Sequence, residues 1–287
     1  MTRLWLLFLI GVSAMAQNAM DNPPDEWTRP FPPFRIVGNL YYVGTYDLAC
    51  YLIATPAGNI LINTGVKSSG AQIRSNIETL GFRFADTRLM LATHAHIDHV
   101  AAMAEVKRLT GARLAATEPE VALFESGGKA DFRFGDDRSA WFEPVHVDEK
   151  LRDGQKVGIG GMELTVHLTP GHTKGAASYE FNVRDEGRDY RVLIANLPSI
   201  NPGVTLLENP KYPNIAAEYA GTFATLKELH PEIFLASHAS QFGLHRKYQP
   251  GDAYQPIRFI DPAGYRAAVD SLQAAFEAQL ARERKGQ

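Results

Sequence analysis

From residue 34 onward, apolar residues alternate with polar ones or gather in runs of four to six. These patterns predict strands at 34–37, 40–44, 50–55 and 59–62, the last two joined by the turn Pro56-Ala57-Gly58. A helix over about 71–80 and a strand over 88–93 follow. The next predicted helix spans about 100–109, with Val100, Met103, Val106 and Leu109 at three-residue steps along one side. A strand at 113–116 leads into a helix around 118–125. The second half resumes with strands near Val145 and Val157, then at 162–169, 178–183 and 190–194. A helix over about 215–229 precedes a strand at 232–236. Asp261-Pro262 then starts a last helix, as an N-cap followed by Pro at the first helical position. Its apolar side reads Tyr265, Val269, Leu272, Phe276 and Leu280.

Each half therefore contains strands followed by helices. Two sheets packed face to face with helices outside would bury these faces, an α/β architecture. No Ser/Gly-rich linker separates the halves, which favours one domain. At 287 residues and 45% hydrophobic, the chain can fill a core and is not disordered in the main.

The N-terminus breaks the pattern. Residues 1–16, MTRLWLLFLIGVSAMA, carry one charge, Arg3, then a nine-residue apolar run and the small-x-small sequence Ala14-Met15-Ala16. The run is too short to span a bilayer, which takes roughly 20 residues. It is expected to be an export signal, with a mature domain over 17–287 in the periplasm or outside the cell. No other run is apolar enough for a membrane helix, so no membrane contact is expected after the signal is removed. The formal charge of −3 becomes about −4 without Arg3. That argues against nucleic acid as a partner, which calls for a Lys/Arg surplus. Cys50 is the one cysteine. It sits in the apolar run Leu48-Ala49-Cys50-Tyr51-Leu52-Ile53 and is expected to be buried filler.

The chemistry lies in the histidines. Thr93-His94-Ala95-His96-Ile97-Asp98-His99 closes the predicted strand 88–93. Alternate side chains of an extended segment point the same way, so His94 and His96 face one side. The turn into the next helix can bring Asp98 and His99 to the same mouth. His172 follows a Pro170-Gly171 turn at the end of strand 162–169, and His238 follows strand 232–236. Imidazoles and a carboxylate gathered at strand ends suit zinc. His94, His96, Asp98, His99, His172 and His238 are enough for two zinc ions with open positions. His146, His167, His230 and His245 lack this placement and are expected to be structural or surface residues.

The pattern H-x-H-x-D-H, then a His after Pro-Gly, then a His after a late strand, resembles the metallo-β-lactamase superfamily. It is most similar to class B β-lactamases of the third subclass, whose second zinc site has His where others have Cys. WTRPFPPF, FRIVGNLYYVG, PGHTKGAASYEF, NPGVTLLENPKYP and FLASHASQFGLHRKY add to the likeness. The resemblance implies the αββα sandwich, with two mixed sheets face to face and helices outside. It places one zinc on His94, His96 and His172 and a second on Asp98, His99 and His238. The implied activity is hydrolysis of the β-lactam amide by hydroxide held on zinc, with Asp98 also orienting the nucleophile.

Three positions depart from the family pattern. Asn63 stands where relatives commonly have an Asp that braces the metal loop. Pro198 and Ile200 fall where serines often hold the substrate carboxylate, which leaves Ser199 or Asn201 as substitutes. Lys174 follows His172-Thr173 where Pro is common. Lactonases and glyoxalase II-like thioesterases share the fold and are the alternative reading. They usually carry a metal-bridging Asp after strand 190–194, where this chain has Asn196.

Overall fold

Residues 23–286 are described by a computed structural model of the chain; the expected export signal lies outside them. The first sheet has seven strands in chain order: β1 (Phe34–Val37), β2 (Leu40–Tyr42), β3 (Tyr51–Thr55), β4 (Gly58–Ile62), β5 (Thr87–Leu91), β6 (Arg113–Thr117) and β7 (Glu149–Leu151). Its first four strands form an antiparallel meander, and β4 to β7 run parallel. The second sheet orders β8 (Lys156–Ile159), β9 (Met162–Leu168), β10 (Ala177–Asp185), β11 (Arg188–Ala195) and β12 (Ile233–Ala236) as β12-β11-β10-β9-β8. It is antiparallel except for the parallel β11–β12 pair.

Both faces of the first sheet are apolar, and strand alternation sorts them. Tyr51, Ile53, Ile60, Ile62, Leu89 and Leu91 enter the central core with Val166, Tyr179, Phe181, Val192 and Ile194 of the second sheet. Cys50, Leu52, Leu61, Met90 and Leu114 point outward. There they meet Ile73 and Ile77 of helix α1 (Ser69–Thr79) and Met103 and Val106 of α3 (Met103–Thr110), which follows the single turn α2 (Ile97–Val100). On the far side, α5 (Ile215–Glu228) and α6 (Pro262–Gly286) lie against the second sheet, with Phe234 of β12 5.2 Å from the Tyr265 ring. Asp261 Oδ1 accepts the Gly264 N–H at 2.8 Å, the expected N-cap. This is the helix–sheet–sheet–helix sandwich expected from the sequence.

Two local expectations change. Leu109 is 54% exposed. Steps of three residues drift about 60° each around a 3.6-residue turn, so Leu109 has left the buried side that Val100 and Met103 define. The strand expected near Val145 forms instead at Glu149–Leu151, the parallel partner of β6. Val145 is buried in the preceding loop, where its N–H donates to the Phe124 carbonyl of helix α4 (Val121–Ser126).

Candidate metal centre

The His94–His99 segment leaves β5 at the edge of the central core, and His172 lies in the β9–β10 turn of the other sheet. The Ala177 N–H donates to the Thr93 carbonyl at 2.8 Å, and this bond joins the two sheets where the histidines emerge. Ligand atoms of His94, His96 and His172 lie within 4.8 Å of one another. Those of His94, Asp98 and His99 form a second such group. His238, just past β12, brings Nε2 to 3.4 Å from Asp98 Oδ2, and its ring centre lies 4.9 Å from that of His99. All six predicted ligands therefore converge.

Hydrogen bonds fix which ring nitrogen is free, because carbonyls and carboxylates only accept. His172 donates from Nδ1 to the Ser199 carbonyl at 2.7 Å, leaving Nε2. His96 donates from Nε2 to Asp131 at 3.2 Å, leaving Nδ1. His238 donates from Nδ1 to Asp47 at 2.8 Å, which leaves Nε2 facing Asp98 Oδ2, the carboxylate that would share its ion. His94 Nε2 and His99 Nδ1 are buried without any partner. Buried polar atoms rarely stay unpaired, so these orphans fit a cation. The donor set of imidazole nitrogens and one carboxylate is zinc's.

Charge differs across the centre. Burial and the adjacent His99, His172 and His96 hold the His94 pKa well below the usual imidazole value. Burial, with His96 nearby, brings His172 down to about 3. Burial also lowers His99. His96 is raised, because Asp131 outweighs the cost of burying its charge. For His238, burial is outweighed by the hydrogen bonds to Asp47 and Asp98, and its pKa rises to about 9. Burial opposes the charge of Asp98, but His99 and His238 hold it well below the carboxylate range. A bound cation would compete with these protons.

Asn63 does the bracing that the sequence left in question. Its backbone is left-handed (φ 64°), a conformation Asn tolerates well. Its Oδ1 accepts the Thr93 N–H at 3.0 Å, and its Nδ2 donates to the Ala49 carbonyl at 3.3 Å. Ser237, beside His238, donates to Thr93 Oγ1, and the Ala49 N–H donates to the Ser237 carbonyl. This closed ring ties the loops of His94 and His238 together.

The histidines open into a cavity of about 370 Å³. Trp27, Phe134, Ser139, Ser199, Asn201 and Gln241 are among its lining residues, which include no Lys or Arg among the described residues. Asn201 Nδ2 is buried without a partner. Lys174 lies away from this lining, 5.3 Å over the Tyr212 ring. Asn196 lines the cavity, but its Nδ2 points to the Thr169 carbonyl at 3.5 Å. The remaining histidines have structural partners, such as Glu180 for His167 and the Tyr46 carbonyl for His245. Sequence reasoning missed Asp47, Asp131 and the role of Trp27. Asp47 is 191 positions from the histidine it holds, so no local spacing signals it.

Residues 44–184 match the family model of the metallo-β-lactamase superfamily. The class B3 di-zinc metallo-β-lactamase LRA-12 from an Alaskan soil metagenome is 47% identical, with a TM-score of 0.87 over 90% of this chain and 97% of that one. The metallo-β-lactamase GOB-18 from Elizabethkingia meningoseptica is 44% identical, with a TM-score of 0.89 over 91% and 96%. A hydroxyacylglutathione hydrolase from Methylobacterium nodulans is 34% identical over 130 residues, 45% of this chain and 42% of its own. The matches span 42% to 63% of the length of the first curated relatives. The chain belongs to the metallo-β-lactamase superfamily, and the solved structures it resembles include the class B3 di-zinc enzyme LRA-12 and the metallo-β-lactamase GOB-18.

Proposed function

We propose that this protein hydrolyses the amide bond of β-lactam antibiotics with two zinc ions, one on His94, His96 and His172 and one on Asp98, His99 and His238. The observation that carries this reading is the convergence of these side chains, with orphaned His94 and His99 nitrogens, at one cavity. Zinc, when bound, supplies a water acidified to a pKa of about 7 and polarises the carbonyl.

The chain's own residues do the rest. The Ser199 carbonyl, Asp131 and Asp47 take the Nδ1–H of His172, the Nε2–H of His96 and the Nδ1–H of His238. The other nitrogen of each ring is therefore the one that would face an ion, which would displace a proton at His96 and His238. Asp98 is held ionised by His99 and His238, and would serve both as a ligand and as a hydrogen-bond acceptor for the nucleophile. Trp27 and Phe134 form apolar walls that limit water around the scissile bond. With no cation in the lining, Ser199 Oγ and Asn201 Nδ2 are the proposed donors to the substrate carboxylate. Residues 1–16 act as the export signal of a mature domain over 17–287 in the periplasm or outside the cell. Among the described residues, no helix is long and apolar enough to cross a membrane.

Asn196 favours this reading over a thioesterase or lactonase, because a neutral amide is a poor bridge between two cations. The partial match to hydroxyacylglutathione hydrolases keeps those activities as the second reading. A panel of penicillins, cephalosporins, carbapenems, acyl thioesters and homoserine lactones, assayed with and without chelator, tests both. Chelator-sensitive β-lactam turnover is expected. Rapid thioester or lactone hydrolysis without β-lactam turnover would overturn the proposal.

A further inference from the structure

Glu120 is a buried acid that the proposed mechanism does not use. It closes the turn after β6, is 2% exposed, and is absent from the cavity lining. Its Oε1 accepts the Ala95 N–H at 2.7 Å and the Thr173 hydroxyl at 2.8 Å. Its Oε2 accepts the Gly175 N–H at 2.9 Å and lies 2.9 Å from the same hydroxyl. Two of the three partners are backbone N–H groups, which can only donate, and they meet one oxygen each, a setting that suits a carboxylate.

The donors come from two places. Ala95 lies between His94 and His96, on the loop leaving the first sheet. Thr173 and Gly175 follow His172, in the turn between two strands of the second sheet. The approach is close enough to demand glycine at 175, since a Cβ there would sit 2.7 Å from Glu120 Oε2 and 2.4 Å from its backbone nitrogen. One carboxylate thus clamps together the two loops that carry the three imidazoles of the first cluster.

We propose that Glu120 is a positioning residue of the first zinc site, setting the separation of the His94–His96 and His172 loops and placing a negative charge beside three imidazoles that carry none. The inference rests on the zinc reading above. The second cluster contains its own carboxylate, Asp98, and no donor to Glu120 belongs to its loops beyond His96. The effect of Glu120 is therefore selective for one ion.

Stepwise zinc affinities of the mature protein, measured by competition with a chromophoric chelator, test this. Glu120→Gln keeps the shape but loses the charge and turns an amide N–H toward donors. It is expected to weaken the first ion by roughly 10–100-fold and leave the second unchanged. Glu120→Asp, which keeps the charge with a shorter reach, recovers part of that loss. Thr173→Val removes one donor and gives a smaller loss, again at one ion. The d–d spectrum of the cobalt-substituted protein should shift in Glu120→Gln. Wild-type affinity for both ions in Glu120→Gln overturns the proposal. Equal weakening of both ions with a lowered melting temperature of the metal-free protein also overturns it, because that is a general packing role. Should Glu120→Gln fail to fold, Thr173→Val decides, and an unchanged first affinity there overturns the proposal. A wild-type protein that binds no zinc overturns the zinc reading itself, which separates the two failures.

Discussion

The two clusters of the metal centre are built on opposite electrostatic plans. His94, His96 and His172 include no carboxylate of their own, and burial holds His94 and His172 neutral. Their negative charge is borrowed from Asp131, which touches His96, and from Glu120, which touches only backbone and Thr173. The other cluster holds its charge inside, as Asp98 between His99 and His238. The difference teaches where support must lie. A site of neutral ligands needs carboxylates around it to offset a divalent ion, and these can come from anywhere the fold brings close. A site that includes a carboxylate needs mainly orientation, which Asp47 gives to His238.

The largest effect should come from deleting a ligand of the neutral cluster. His96→Ala removes one imidazole of three and leaves Asp131 facing a void. Metal and turnover should fall together, by more than the roughly 100-fold that a supporting residue is worth. Metal analysis of the purified variant checks the assignment. Two zinc ions retained per chain would contradict it.

Next in size are the two orienting carboxylates, and here the comparison itself is at stake. Asp131→Asn turns an amide toward the His96 Nε2–H, while its Oδ1 can still accept the Arg133 and Phe134 N–H groups that it holds at 2.7 Å. Asp47→Asn does the equivalent to His238. Each is expected to weaken metal binding by about 10–100-fold, Asp131→Asn at one ion and Asp47→Asn at the other. The loss should be deeper for Asp131→Asn, because the cluster it serves has no internal charge. Stepwise titration of the two variants reads this directly, and identical profiles would erase the distinction between the clusters.

How much of this was legible in the sequence follows from the distances involved. The convergence of the six candidate residues was readable because His94 to His99 are packed into six residues and His172 and His238 each follow a strand end. Alternation in the β3–β5 region gave the two-faced sheet for the same reason, since strand parity is local. The supporting carboxylates were not readable. Asp47 and Glu120 lie in unremarkable loops and acquire meaning only when the fold places them 191 and 25 to 55 positions from their partners. Leu109 misled because a three-residue spacing looks helical over two turns and drifts off the face by the third. Asn63 lay between these cases: its position was visible, but its amide's use of both donor and acceptor was not.

That use sets the third prediction. Asn63→Asp replaces the N–H that meets the Ala49 carbonyl with an oxygen, inside a fully buried ring. An ionised Asp there faces a carbonyl, whereas a protonated one can still donate to it, so its folded-state pKa should lie above its unfolded value. Stability of the metal-free variant is therefore nearest wild type below the unfolded Asp pKa of about 3.9 and declines as pH rises through the folded value. At neutral pH the deficit should be about 1–3 kcal/mol by denaturant unfolding. A deficit that shrinks with rising pH would show that the ring accepts a carboxylate. Because the ring joins the His94 and His238 loops, both ions should loosen together, unlike the selective losses above.

The smallest effect should come from Cys50. It lies beside the region of Leu48 that bridges to His238, yet its side chain joins Leu52, Val43 and Ile73 in the outer layer of the first sheet. Burial pushes its thiol pKa well up, away from the thiolate that zinc or an electrophile requires. Cys50→Ala should leave both zinc affinities unchanged and cost about 1 kcal/mol of stability through a small cavity. In the folded protein, a thiol reagent should label Cys50 only at the rate of unfolding. A changed affinity for the Asp98–His99–His238 ion would mean that a thiol takes part in the cluster whose charge is here assigned to Asp98 alone.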